Sequence, residues 1–124
     1  MKLLNEFRET SLTQAEFSLI YRMTKSNSEV WLLINDDNSI VGSATILYEH
    51  KFIHNGGIVG HIEDLVIKES CRGRGHGKYL LEFLRDRSEK KGCYKIVLNS
   101  EKNTEKFYKK AGFSEKNSQF EIRF

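Results

Sequence analysis

Apolar positions change their period several times along the chain, and each change marks an element boundary. Thr13-Gln14-Ala15-Glu16 has the form of a capping box, and Phe17, Ile20, Tyr21 and Met23 follow at roughly helical spacing. The pattern predicts a helix over residues 13–25, with a shorter helical turn before it. Val30-Trp31-Leu32-Leu33-Ile34 is an apolar run of strand length, and Asn35-Asp36-Asp37-Asn38 is a turn sequence. Residues 39–48 are β-rich, with Val41, Ala44, Ile46 and Tyr48 in partial alternation, so the two runs predict a hairpin. His54-Asn55-Gly56-Gly57 is the next turn, and residues 58–67 are a further strand. Tyr79, Leu80, Phe83 and Leu84 recur at helical spacing up to a stop at Gly92. Residues 93–98, CYKIVL, predict a strand. Asn103 then caps a short helix carrying Phe107, Tyr108 and Ala111, ended by Gly112. Residues 119–124 alternate and predict a last strand. The order is helix, three strands, helix, strand, helix, strand, with no repeat or linker. It implies one α/β domain over residues 1–124.

The stretch CRGRGHGK, residues 71–78, interrupts this pattern between a buried strand and an amphipathic helix. Glycines let backbone N–H groups approach a ligand, and a helix start adds partial positive charge. Arg72, Arg74 and Lys78 strengthen the attraction for an anion. The loop is not a Walker A motif: Arg72 stands where its first glycine belongs, and Tyr79 replaces the Ser or Thr that meets magnesium. Nor is it GxGxxG, because Gly73, Gly75 and Gly77 alternate. A turn whose glycines only relieve strain is the plainer alternative. The coincidence of three glycines, three cations and a helix start favours an anion site.

Composition narrows the classes further. With 124 residues, 39% hydrophobic and 30% charged, the chain suits one ordinary globular core. Its formal net charge of +3 suits an acidic ligand but is too small to imply nucleic acid. No apolar run is long enough to span a bilayer, and MKLLNEFRETSL has no apolar signal core, so a cytoplasmic protein without membrane attachment is expected. Cys71 and Cys93 share no CxxC spacing and are expected to be free thiols. His50, His54 and His61 are of a residue type that binds zinc, but HxxxH on a strand does not converge on one ion and no catalytic zinc motif is present. No metal is expected.

Arg72-x-x-Gly75-x-Gly77 fits the Arg/Gln-x-x-Gly-x-Gly/Ala motif of the GNAT superfamily of N-acetyltransferases. More narrowly, KFIHNGG, GHIEDLVI, CRGRGHGK, GCYKIVL, EKNTEKFYKKAGF and the closing EIRF, in that order, resemble the glucosamine 6-phosphate N-acetyltransferase family. The resemblance runs from about Lys51 to the C-terminus. It implies a mixed central sheet flanked by helices, here without the family's usual opening strand, and a homodimer whose active sites draw on both subunits. It implies acetyl-CoA as donor, with direct attack by the amine of D-glucosamine 6-phosphate, a step of UDP-N-acetylglucosamine biosynthesis.

The resemblance assigns the residues of the loop, Arg72, Gly73, Arg74, Gly75, His76, Gly77 and Lys78, to the pyrophosphate of the donor. It assigns the main chain of Leu65, Val66 and Ile67 to the pantetheine arm and the thioester oxygen; helical and strand patterns alone would call these side chains core. Asn99 and Asn103 also fall at the donor. Tyr108, by spacing a core aromatic, becomes in the FYKKAGF context the acid for the departing thiolate. Glu63 and Asp64, adjacent on a strand, point to opposite faces and form no dyad. By resemblance both line the sugar site, with Glu63 positioning the ammonium. Lys51, His54, Tyr94, Lys95 and Arg123 lie in motifs that match the sugar-phosphate pocket, although each alone reads as a solvated surface residue. Asn99 departs from the family, which commonly has an acid there.

Two rival functions fit part of this pattern. Another acetyltransferase of the same fold, acting on a different amine or a protein N-terminus, would share the loop and differ at Lys51, His54, Tyr94, Lys95 and Arg123. A basic RNA-binding module could use RGRGHGK, but a loop set between strand and helix, without interleaved aromatics, argues against it.

Overall fold

The computed structural model describes residues 12–24 and 26–124; the shorter helical turn expected before residue 13, and the question of an opening strand, lie outside them. The capping box forms as expected. The Thr13 N–H donates to Glu16 Oε2 at 2.8 Å, and the Glu16 N–H donates to Thr13 Oγ1 at 3.2 Å. The helix they open, α1, spans Gln14–Thr24. β1 (Ser28–Ile34) and β2 (Ile40–His50) make the hairpin, turned through Asn38 at φ 66°, a left-handed conformation that Asn tolerates. β3 (Ile58–Ile67) runs antiparallel to β2. The glycine loop leads from it into α2 (His76–Lys90). β4 (Cys93–Val97) then lies parallel to β3, and α3 (Glu105–Lys110) follows. The sheet is mixed, in the order β1-β2-β3-β4.

The core lies between this sheet and α2. Ala44, Ile46 and Ile62 of the sheet meet Leu80, Leu81 and Leu84 of the helix, none more than 3% exposed. Each buried Leu or Ile contributes roughly 1.5–3 kcal/mol. The seam fixes the direction of α2, and so fixes where its N-terminal end points. At the other end of that helix stands Glu29 of β1. It accepts from Trp31 Nε1 at 3.1 Å, from the Tyr48 hydroxyl at 2.7 Å, and from Arg87 through Nε at 3.1 Å and a terminal nitrogen at 2.6 Å. These bonds, led by that from Arg87, hold the Glu29 carboxyl down at about 2 against the opposing effect of burial. Burial, with the Glu29 carboxylate, pushes the Tyr48 phenol far up. Arg87 also lies over the Trp31 ring at 5.4 Å, and Trp31 meets Phe83 edge to face at 4.7 Å.

Two sequence expectations fail. The last strand, residues 119–124, does not form: Phe120, Ile122 and Phe124 are 92%, 81% and 117% exposed. An alternating pattern specifies a face, but a strand also needs a ladder partner, and the described residues supply none there. Asn103 does not cap α3. It sits inside a 3₁₀ turn, Lys102–Thr104, and the N-cap of α3 is Thr104, which makes no side-chain cap bond. The hydroxyls of Ser100 and Thr104 both donate to the Glu101 carbonyl at 2.9 Å and tighten this turn instead.

Candidate active site

β3 and β4 pair only from Ile58↔Cys93 to His61↔Val97. Beyond His61, β3 runs on to Ile67 with β2 on one side and no strand partner on the other among the described residues. Within this half the β2 register jumps from Ser43↔Val66 to Thr45↔Glu63, so two residues, Asp64 and Leu65, lie opposite Ala44 alone. That is a β-bulge, with Asp64 at φ 50°. The bulge corrects the expectation that Glu63 and Asp64 face opposite ways by simple alternation. An extra residue breaks the period of two, and both carboxylates are exposed. Leu65 and Ile67 pack on the core and Val66 is 3% exposed, so these side chains are core and only their backbone is offered along the free edge. Unpaired backbone of this kind can pair with an extended ligand.

The strand passes through a 3₁₀ turn, Glu69–Cys71, into the glycine loop. Arg72 Nε donates to the Ile67 carbonyl at 3.0 Å and ties the loop to the strand end. Gly75, at φ 83°, is the N-cap of α2 and leaves its first N–H groups without a side-chain cap. A Cβ at Gly75 would meet nothing within 4 Å, so packing does not require glycine there. The left-handed turn does, and it keeps the space before the helix start open. Arg74 and Lys78 are exposed beside it. Gly77 is tight instead: its Cβ would lie 3.1 Å from Phe107 Cζ, so α3 is held directly against the start of α2. His76 is half-buried in the same turn.

Tyr108 is half-buried between Phe107 and Phe113, at centroid distances of 5.1 and 5.9 Å, and burial pushes its phenol up. It keeps its proton at neutral pH and can donate it. With Asn99 and Lys95 it lines a cavity of about 850 Å³ bounded by β4, α3 and the chain after Gly112. Asn103 is exposed and outside that lining. Glu63 belongs to a different groove, of about 770 Å³, shared with Tyr48, Glu49, His50 and His61. Tyr108 and Glu63 therefore do not share one cavity.

Of the expected sugar-site residues, His54 and Tyr94 meet beside the turn after β2, with Lys51 at its start and Lys95 next to Tyr94 on β4. The His54 and Tyr94 rings are 4.4 Å apart, and Lys95 Nζ lies 5.8 Å from the Tyr94 ring. Gly57 makes room for that pair, since a Cβ there would fall 2.7 Å from Tyr94. The Lys51 N–H donates to the Gly57 carbonyl at 2.8 Å. His54 and Asn55 hold left-handed φ values of 51° and 56°, strain of the kind that marks functional turns. Arg123 is not brought to this group: it lies on the exposed tail, its Nε donating to Glu121 at 2.9 Å. Two residues escaped the sequence reading. His61 Nε2 lies 2.8 Å from Glu49 Oε1, and Lys51 Nζ lies 3.0 Å from Glu49 Oε2. The strand alternation that sets His61 on the face of Glu63 was the available signal; His61 was weighed only as a zinc ligand and set aside. Among the described residues no three His, Cys, Asp or Glu side chains are grouped to hold a metal, and both cysteines are free.

The model of the acetyltransferase (GNAT) family matches residues 1–113. A glucosamine 6-phosphate N-acetyltransferase of Arabidopsis thaliana is 34% identical, with 100% of this chain and 87% of the relative aligned. The corresponding Dictyostelium discoideum protein is 33% identical over 96% of this chain and 78% of its own length. Among solved structures, an acetyltransferase of Trypanosoma brucei superposes with a TM-score of 0.91 at 35% identity, covering 99% of this chain and 89% of that one.

Proposed function

The chain belongs to the GNAT acetyltransferase family and to its glucosamine 6-phosphate N-acetyltransferases, and on that premise we propose that it transfers the acetyl group of acetyl-CoA to the amine of D-glucosamine 6-phosphate. The product is N-acetylglucosamine 6-phosphate, and the reaction is a step of UDP-N-acetylglucosamine synthesis in the cytoplasm. The observation that carries this reading is the free, bulged half of β3 followed, through the Glu69–Cys71 turn, by an uncapped helix start at Gly75. Extended backbone and anion site follow each other in the chain, which suits an elongated ligand with a pyrophosphate.

Acetyl-CoA, when bound, supplies a thioester carbonyl open to attack by a neutral amine. The loop residues Arg72–Lys78 hold the pyrophosphate, and the backbone of Leu65–Ile67 holds the arm and offers an N–H to the carbonyl oxygen as charge develops there. Tyr108 O–H donates to the departing sulfur. Glu63 attracts the ammonium from the neighbouring groove, with Asp64 beside it. Lys51, His54, Tyr94 and Lys95 receive the sugar phosphate. Asn99 lines the Tyr108 cavity as a hydrogen-bonding amide rather than an acid.

Arg123 completes the phosphate site only if a second copy supplies it, so the active species is a homodimer. The apolar stripe Phe120, Ile122 and Phe124, exposed in the single chain, supports this reading. Thiol release from acetyl-CoA tests the whole reading. Glucosamine 6-phosphate is expected to exceed glucosamine by hundreds-fold in kcat/KM, because each charge-assisted bond to the phosphate contributes about 1.5–3 kcal/mol. Arg123→Ala should reduce the rate with the phosphorylated sugar far more than with the free sugar. Equal rates on the two sugars would refute the acceptor and leave acetyl transfer standing.

A further inference from the structure

We propose that the His61–Glu49 pair accepts the proton that the substrate ammonium must lose before its nitrogen can attack, with His61 Nδ1 as the accepting atom. The inference rests on the acetyl-transfer reading above and adds the acceptor that it lacks. A primary amine is largely protonated at neutral pH and is no nucleophile in that form. The Tyr108 cavity is lined by Asn99, an amide, by Tyr108, occupied as donor, and by the carboxylates Glu105 and Glu115 of α3 and the chain after it. The other groove holds Glu49, His50, His61 and Glu63, and so sets imidazoles beside the carboxylate that draws the ammonium.

Position singles out His61. It is the last residue of β3 paired with β4, opposite Val97, and it directly precedes the free half where the donor arm is held. Glu63, two residues further on, also lines the groove, so an ammonium drawn to Glu63 is brought within the same space as the imidazole. Chemistry points the same way. Imidazole is the side chain suited to gain and lose a proton near neutral pH. His61 Nε2 lies 2.8 Å from Glu49, a carboxylate that can only accept, so the neutral ring carries its hydrogen on Nε2 and its lone pair on Nδ1. Among the described residues no hydrogen bond occupies Nδ1. Bonds from His61 and then Lys51 hold the Glu49 carboxyl below its usual range, so Glu49 stays anionic and stabilises the imidazolium once it forms. Glu49 is a positioning residue in this scheme. Of the two imidazoles in the groove, only His61 has a carboxylate partner among the described residues. The other charged groups near it are Lys51 beyond Glu49, Glu63 on its own strand, and Lys95 on β4, two residues before Val97.

The protons balance. One leaves the ammonium for His61 Nδ1 and passes from there to water. The freed lone pair forms the C–N bond, the C–S bond breaks, and sulfur takes a proton from Tyr108. The second amine proton is lost to water as the amide forms, and Tyr108 is reprotonated from water.

The test is kcat/KM for thiol release with glucosamine 6-phosphate, measured across pH 5.5–9.5 for the parent and for His61→Gln and Glu49→Gln. Glutamine at 61 can still bond Glu49 but cannot titrate. His61→Gln is expected to lose roughly 100-fold at neutral pH, with unchanged acetyl-CoA affinity, and to recover as the amine deprotonates by itself at high pH. Glu49→Gln, which keeps the imidazole, should lose about tenfold and move the acid limb of the profile to lower pH, as loss of a neighbouring anion makes imidazolium harder to form. It serves as the deciding variant if His61→Gln does not fold. A parental rate and profile in both variants overturns the inference. So does an equal loss at every pH, which would make His61 a binding residue only. A parent that releases no thiol with this sugar overturns the proposed function itself, and the two failures are told apart by the parent curve.

Discussion

The two ends of β3's neighbourhood use polar groups in opposite ways. Around Glu29 the polar atoms of β1, β2 and α2 are turned on one another: a single carboxylate takes bonds from a ring N–H, a phenol and a guanidinium. Around Glu63 and the bulge they are turned outward, along a strand edge with no partner and into a groove. Both regions belong to the same sheet and lie under the same helix. The difference is what the sheet does locally. Where α2 crosses back over β1 and β2, polar groups can be satisfied within the chain and become anchors. Where β3 separates from β4 they cannot, and they are left for a ligand. Polar groups satisfied between β1, β2 and α2 serve stability here, and those that face the groove or the free edge, the His61–Glu49 pair included, serve chemistry.

Mutations can break that division. The largest effect is expected for Gly75→Val at the open end. A β-branched residue is strained at φ 83° and turns the first N–H groups of α2 away. Losing about two charge-assisted bonds should weaken acetyl-CoA binding a hundredfold or more, read by calorimetric titration on folded protein. Parental affinity would remove the loop from the donor site. Next is Tyr108→Phe, which keeps the ring contacts with Phe107 and Phe113 and removes the donor. Turnover should fall at least about tenfold while the denaturation midpoint hardly moves. A drop in stability without a drop in rate would return Tyr108 to the core.

At the closed end the signs reverse. Arg87→Met should lower the urea unfolding midpoint, because it strands the half-buried Glu29, yet leave kcat/KM within about twofold. A large kinetic effect would show that the two regions are coupled. The smallest effect concerns acid. The folded Glu29 carboxyl titrates at about 2, below its ordinary 4.5, so its contribution is complete above 4.5 and is lost as pH falls toward 2. Glu29→Gln should therefore flatten the fall of stability over that window, and midpoints measured at pH 5, 4 and 3 would reveal it.

The elements of the open end were legible for a simple reason: each depends on a local signal. The capping box at Thr13, the apolar run ending at Ile67 and the glycine stop at Gly92 produced element ends within a residue or two of those observed. Tyr108 was visible as a core aromatic, and only the resemblance of its surroundings pointed to the sulfur. Asn103 misled because two hydroxyls nearby, Ser100 and Thr104, compete for the same turn. Glu63 and Asp64 misled because strict alternation holds only in an unbulged strand.

By itself, then, the sequence determined the α/β order as far as α3, Leu80 and Leu84 of the core seam, and the glycine loop at a helix start, all of which follow from periodicity and backbone conformation over a few neighbouring residues; of the same stripe Tyr79 is exposed, and Leu81 joins the seam instead. Only the tertiary structure decided that β3 outruns β4 beyond His61, that Asp64 is bulged, that Glu49 meets His61 across strands, and that the tail from Gln119 finds no ladder among the described residues. These depend on strand register, on which edge is left unpaired, and on residues far apart in the chain. Hydrophobic pattern and turn geometry bias register, but a bulge and an unpaired edge are decided only when the strands meet.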